Sequence, residues 1–440
     1  MTTGRTKMAV GVALLCAALT AAAIATARPP AHNKKHGGFE VWTIDQQDSR
    51  PGFGGTLHIF DGAGLTDGNA SDAPREAVDL GAQASNLCLQ KTGTAPRRPH
   101  MLVFNGAEDL QATDAVVAWV VTGHVLFMDA DTRQPLDCID VGTQAHAAWP
   151  TPDQKHLIVA DQNGKKLHRI KTDYANNQFA LEPGATLDLA VGTTPNGVPK
   201  EGPHRPDNAP ICPRTTEDGR VTFVTLRGGG MFVVDHNQSP MRIVAEYDNS
   251  QVDDNGCGEF QARDKMYVNS GAGAPGDPQG HDVYVFPLSA FDSVPNPPNT
   301  PAAKLVYTRD PEGLVDAHAV SNSQGGDKYL WWGDRQQNDV TVVRTQKDEV
   351  INQFDLAGPV CSDPAPDLFD LSPDQKNMFS STRGPTPATG GHDAVGNCPG
   401  VGVIDVDEGG KDGNLEGLAP VPPGAEGFPP DPHAIRVRQR

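Results

Sequence analysis

Aromatic residues make up only 6% of this 440-residue chain. Past residue 40, no stretch of about twelve residues carries the apolar 3.6-residue period of an amphipathic helix. A helix-built core is therefore not expected. Positive charge is scarce too: 36 Lys and Arg stand against 55 Asp and Glu, a formal net charge of −19. Such a chain repels a phosphate backbone, which excludes nucleic acid as a partner. The basic runs RPPAHNKK and HAIRVRQR are short and local. There is no CxxC and no CxxCH, so a zinc ribbon, a thioredoxin-type pair and c-type haem attachment lose their signatures. A GxSxG elbow, an HExxH helix and a dinucleotide fingerprint are also missing, and Gly228-Gly229-Gly230 lacks the Lys and helix of a phosphate loop.

What the chain has instead is 47 Gly and 38 Pro, a composition of many turns joining short strands. Its length exceeds one ordinary compact core, except in a repeat architecture, which grows by addition. Residues 1–27 read as a secretory signal: Arg5 and Lys7 precede an apolar run over 8–24, and Ala25-Thr26-Ala27 fits a small-x-small cleavage site. A linker over 28–38 and a single domain over 39–440 follow. A secreted or periplasmic protein is expected, with no transmembrane span after signal removal. Six cysteines then remain: Cys88, Cys138, Cys212, Cys257, Cys361 and Cys398. An even number in an exported chain favours disulfides.

Residues 143–161 read TQAHAAWPTPDQKHLIVAD, a short strand, a polar turn ending in Lys, and a second apolar strand. The pattern recurs in APDLFDLSPDQKNMFSST, AHAVSNSQGGDKYLWW, NGCGEFQARDKMYVNS and APICPRTTEDGRVTFVT, and residues 99–128 fit it as well. A third strand usually follows (HVLFMDA, GMFVVDH, NDVTVVR) and then a fourth (LDCIDVG, RIVAEYD, VINQFDL). Six units begin near residues 100, 146, 210, 256, 318 and 367, a spacing expected of propeller blades. The ends supply a seventh: residues 433–440 as its first strand, and three strands within 39–85 as the rest. The expected fold is an all-β, seven-bladed propeller, its ring closed by pairing the C-terminal strand with the N-terminal strands. Closure removes an open sheet edge.

HAAWPTPDQKHLIVADQNGKKL and LFDLSPDQKNMFSS resemble the His…Ser-Pro-Asp-Gly-Lys signature of YVTN-type propellers, the lactonase-like repeat family, with Gln154 and Gln375 in place of the usual Gly. The resemblance implies the propeller; its members include lactonases, oxidases, lyases and binding platforms, so it does not fix an activity. The tryptophan-rich blade repeats of quinone-dependent dehydrogenases are missing.

First strands of propeller blades line the central channel, and residues at their starts are expected to crowd one mouth. Aligning the units puts His100, His146, Ile211 (or Pro210), Gly256, His318, Asp367 and His433 in that slot, with Asp316 and Asp431 two residues before two of the histidines. Four imidazoles could hold a transition metal or act as acid and base on a lactone. They could equally be a habit of the blade, bonding backbone of the next blade. Spread around a wide channel, the four need not meet at one ion. Cys212 and Cys257 sit one residue past equivalent slots, as a blade-to-blade disulfide or as a soft metal site. Cys361 is expected to pair with Cys398, and Cys88 with Cys138. The acidic loops 61–74 and 405–414 offer calcium-type oxygens without the EF-hand pattern. Two functions follow. One is an exported binding or scaffold module that takes a small molecule or protein at the channel mouth. The other is a lactonase-like hydrolase or metal-dependent oxidase.

Overall fold

The computed structural model describes residue 1 and residues 38–106, 112–254, 256–271, 281–291, 300–309, 314–390, 394–424 and 427–440. The expected signal and nearly all of the linker lie outside these. Seven antiparallel sheets follow one another around an axis. In blade 1 the C-terminal strand Pro432–Gln439 pairs with Phe39–Asp45, which continues into Thr56–Asp61 and Arg75–Asp79. Blades 2 to 7 begin with Pro99–Phe104, Ala145–Pro150, Pro210–Thr215, Glu259–Ala262, Ala317–Asn322 and Pro366–Leu371. Ring closure by the terminal strands is thus present, with Val41 opposite Val437.

Burial falls from the axis outward. The second strand of blade 2, Asp114–Trp119, is buried along its whole length, because blades cover both of its faces. The outer strand Lys304–Thr308 of blade 5 has no buried residue. Small and branched apolar residues fill the space between sheets, which is why few aromatics suffice.

The polar turns between first and second strands repeat a shared device. The hydroxyls of Thr151, Thr216 and Ser372 donate to Asp153, Asp218 and Asp374 at 2.7, 2.7 and 2.8 Å. The next residue lies in the left-handed region: Gln154 at φ +57°, Gly219 at +69° and Gln375 at +62°. That conformation explains the glycine usual there, which Gln154 and Gln375 replace at a cost of about 1–2 kcal/mol each.

Two expectations need correction. The chain does contain a 13-residue helix, Leu80–Thr92, inserted between blades 1 and 2. Its N-cap is Asp79, Gly93 closes it at φ +85°, and Leu80, Ala84 and Cys88 form a narrow buried face. Three small contacts spaced four apart give too weak a stripe to stand out in sequence. Blade 3 is not four-stranded: Gln178–Leu181 and Leu187–Asp188 both pair with Lys166–Asp173. The three disulfides are Cys88–Cys138, Cys212–Cys257 and Cys361–Cys398. The first ties the inserted helix to blade 2 and the second joins blades 4 and 5. Among the described residues, no helix is long and apolar enough to cross a membrane.

Candidate metal centre in the channel

The slot residues reach the channel through a distortion of the first strand. In blade 2, Pro99 pairs with Trp119 and Met101 with Ala118, so His100 is an extra residue with no opposite number. His146, His318 and Asp367 are extra residues in the same way. The first strands of blades 1 and 4 carry the same one-residue shift. A bulge of this kind turns a side chain out of its alternation, here toward the axis. Blade 5 is the exception. A Cβ on Gly256 would lie 1.8 Å from the Asn269 carbonyl oxygen, so no side chain fits there.

In ring order the slots read His433, His100, His146, Ile211, Gly256, His318 and Asp367. The five polar ones are consecutive, so the four histidines do not spread around the channel but touch. The His100 and His433 ring centres are 3.7 Å apart, His100 and His146 4.5 Å, and His318 and His433 5.4 Å. Nor do they sit at an open mouth. His433 is 1% exposed and Asp367 is fully buried.

A second ring, missed in the sequence, covers them. It is formed by the residue just past each second strand, in blades 1, 6 and 7 Gln46, Arg335 and Arg383. Arg335 donates to Asp316 at 2.7 Å and to Asp367 at 2.6 Å. Arg383 donates to Asp367 at 2.7 Å and to Asp431 at 2.7 and 2.9 Å. Asp316, Asp367 and Asp431, three carboxylates against two guanidiniums, thus form one buried network. The segment 384–390 lies over this end, held through Gln47, Arg98 and Arg383 to the carbonyls of Thr386, Ala388 and Thr389. Asp316 and Asp431, expected among the ligand-binding residues of the mouth, are held by Arg335 and by Arg383 and Gln46 respectively.

Hydrogen bonds fix three of the four imidazoles. His100 Nδ1 lies 2.7 Å from Gln46 Oε1. The Gln46 amide nitrogen donates to the Asp431 carboxylate at 3.0 Å, which leaves its oxygen to face His100. His146 Nδ1 lies 2.9 Å from the Ile211 carbonyl, and His318 Nδ1 2.8 Å from the Asp367 carbonyl. Those oxygens only accept, so the three Nδ1 atoms carry protons, and in the neutral rings of His100 and His146 the Nε2 atoms are bare. His433 Nε2 is 3.6 Å from Asp367 Oδ2, and its buried Nδ1 has no partner. His100, His146 and His318 are anchored through Nδ1, and His433 lies against Asp367.

Burial keeps His100, His146 and His433 neutral. It pushes His146 down to about 3 and, with their imidazole neighbours, holds His100 and His433 well below the ordinary value. Burial alone would raise the Asp367 carboxyl, but the Arg383 and Arg335 guanidiniums beside it hold it well below the carboxylate range.

A cavity of about 390 Å³ starts at His318 and Cys257 and runs past Val320 and Asn322 to turn residues such as Glu217 and Ser372 at the far end of the channel. Trp149 in its wall is covered by two guanidiniums, Arg214 at 5.1 Å and Arg436 at 4.9 Å. Glu259 also lines it, pushed by burial to about 8 despite a hydrogen bond from Thr225.

Among the described residues, clusters with metal-ligand spacing are His318–Asp367–His433 and His146–Cys212–Cys257. Neither acidic loop supplies one. Loop 61–74 folds into the turns Gly62–Leu65 and Ala70–Asp72, with Asp61 spent on the Gly64 amide. Residues 405–414 form the hairpin between the last two strands of blade 7.

No protein-family model matches this chain, and no curated protein matches it. Solved structures do. A hypothetical selenium-binding protein of Sulfolobus tokodaii superposes with a TM-score of 0.63 at 10% identity, over 92% of this chain and 94% of its own. A protein of Lactobacillus plantarum gives 0.59 at 11%, over 92% and 100%. The periplasmic gluconolactonase of Pseudomonas aeruginosa gives 0.56 at 12%, over 91% and 99%. At such identities the likeness is one of fold: the chain is a seven-bladed β-propeller similar in structure to a gluconolactonase.

Proposed function

We propose that this chain is an exported, metal-dependent enzyme of the oxidase type, acting on a small molecule held in the channel cavity. One observation carries the metal: His100 Nε2 and His146 Nε2 lie 3.2 Å apart. With both Nδ1 atoms protonated, neither Nε2 can donate to the other, and two lone pairs meet. A cation between them removes the repulsion. Two nitrogens about 2.0–2.1 Å from one ion lie about 3–3.4 Å apart. His318 Nε2 and His433 Nδ1 are the further nitrogens of the ring. Asp367, occupied by two arginines, orients His318 and His433 rather than binding metal itself. Imidazole donors suit copper first and zinc second.

Bound there, copper would supply one-electron chemistry. The substrate loses two electrons and two protons, and dioxygen takes them as hydrogen peroxide. The chain holds the ion, excludes water with the arginine–aspartate cover, and offers Glu259 as a proton donor near neutral pH.

The cover also weighs against a protein-binding module that uses this ring, since the arginine–aspartate network and segment 384–390 lie over one end of it. Lactone hydrolysis is the second reading, supported by the fold of the gluconolactonase. It is weaker because the carboxylates around the ring are tied to arginines. Export rests on the residue 1–27 pattern and on the three disulfides, which suit an oxidising compartment. The YVTN assignment rests on the repeated turns.

Copper-loaded and metal-stripped protein would be assayed for oxygen uptake on small alcohols, aldehydes and catechols, and for acid release from lactones. Copper-dependent oxygen uptake supports the reading. Lactone cleavage indifferent to metal, or activity on neither panel, overturns it.

A further inference from the structure

The two slots without a polar side chain are not empty of donors. Ile211 and Gly256 are each followed by a cysteine, and the Cys212–Cys257 disulfide spans the gap in the imidazole ring. Both sulfurs and a ring nitrogen of His146 lie within 4.8 Å of one another. The strand that carries Cys212 also anchors His146, through the Ile211 carbonyl. Cys257 lines the cavity, so the bond faces the space a small molecule enters. Cys88–Cys138 and Cys361–Cys398 show no such histidine among the described residues.

We propose that the Cys212–Cys257 bond is a reducible gate: opened by a small thiol, its two sulfurs form with His146 a second, sulfur-rich site for a soft divalent cation. The chemistry is thiol–disulfide exchange. A thiolate attacks Cys257 Sγ, the Cys212–Cys257 bond breaks, and Cys212 leaves as a thiolate that takes a proton. A second thiol releases Cys257 and leaves as the small-molecule disulfide. Two thiols are oxidised and the cysteine pair is reduced, with no other oxidant or reductant. Binding of a divalent cation then displaces the two cysteine protons. Thiolate with imidazole is a donor set suited to zinc or cadmium. The site takes the same free nitrogen of His146, Nε2, as the ring above, so the two are alternative positions for one cation, and the inference rests on that reading.

Cobalt(II) is the probe, added to the full chain before and after treatment with a dithiol that is then removed without air. Imidazole-bound cobalt gives weak visible bands; thiolate-bound cobalt adds an intense near-ultraviolet charge-transfer band. The expected result is that this band appears only after reduction, is lost in Cys212→Ser/Cys257→Ser, and is kept in Cys361→Ser/Cys398→Ser. In the reduced wild-type chain, cadmium should block alkylation of Cys212 and Cys257 and leave Cys88, Cys138, Cys361 and Cys398 reactive, a readout that needs no variant to fold. A reduced protein without the band, a band that survives loss of both cysteines, or unprotected Cys212 and Cys257 overturns the proposal. Visible bands missing from the oxidised protein contradict the imidazole ring instead, so the two failures are distinct.

Discussion

Gln46 sets the tautomer of His100. Its side-chain oxygen accepts the hydrogen bond of the His100 Nδ1–H at 2.7 Å while its amide nitrogen donates to Asp431. The lone pair of His100 is thereby aimed at His146. Replacing Gln46 with Leu keeps every proposed ligand but frees the imidazole to turn and to change tautomer. Outer partners of this kind are worth about 10- to 100-fold in metal affinity. Gln46→Leu should weaken copper binding by that factor with little change in melting temperature, measured by competition with a chelator. Unchanged affinity would show that the hydrogen bond does not orient the ring.

His58 carries a cost with no compensating contact. It is 3% exposed on the strand Thr56–Asp61, and neither ring nitrogen has a partner. Burial, with the charge of Arg75, pushes it down from an ordinary 6.5 to about 3. Between those values the unfolded chain binds a proton that the folded chain refuses, so stability falls as pH falls through this window. His58→Leu should raise stability by about 1–3 kcal/mol near neutral pH. It should also remove up to one proton of acid-side slope, about 1.4 kcal/mol per pH unit. Denaturant melts across the window read both. A steeper acid limb in the variant would contradict the assignment.

The last strand is a structural closure. Pro432–Gln439 pairs with Phe39–Asp45, and Arg438 and Arg440 both reach the buried Glu40. Deleting residues 433–440 removes His433, opens the sheet edge along Phe39–Asp45 and leaves Glu40 short of two partners. Loss of the cooperative thermal transition is expected, read by circular dichroism. A melting temperature within a few degrees of the parent would mean that the ring does not depend on its closure.

The repeat made the propeller legible, because each blade spells the same turn and the same short apolar strands. The slot was legible too: His100, His146, His318, Asp367 and His433 align by counting from that turn. Depth was not. The extra residue that turns each side chain inward belongs to strand register, which sequence spacing does not display. Arg335, Arg383 and Gln46 were missed for a related reason. They follow the second strands in GDRQQ, STRGP and IDQQD, equivalent places in three blades, and comparing that position across units would have found them. The contiguity of the polar slots follows from ring order alone, once blade 1 is set beside blade 7.

The most direct test is a copper(II) titration read by electron paramagnetic resonance, on the parent chain and on His100→Ala/His146→Ala. One tightly bound copper per chain, with nitrogen hyperfine structure that vanishes in the double variant, is the predicted result. No tight copper in the parent, or a signal that persists without His100 and His146, would contradict the account and return the histidines to blade architecture.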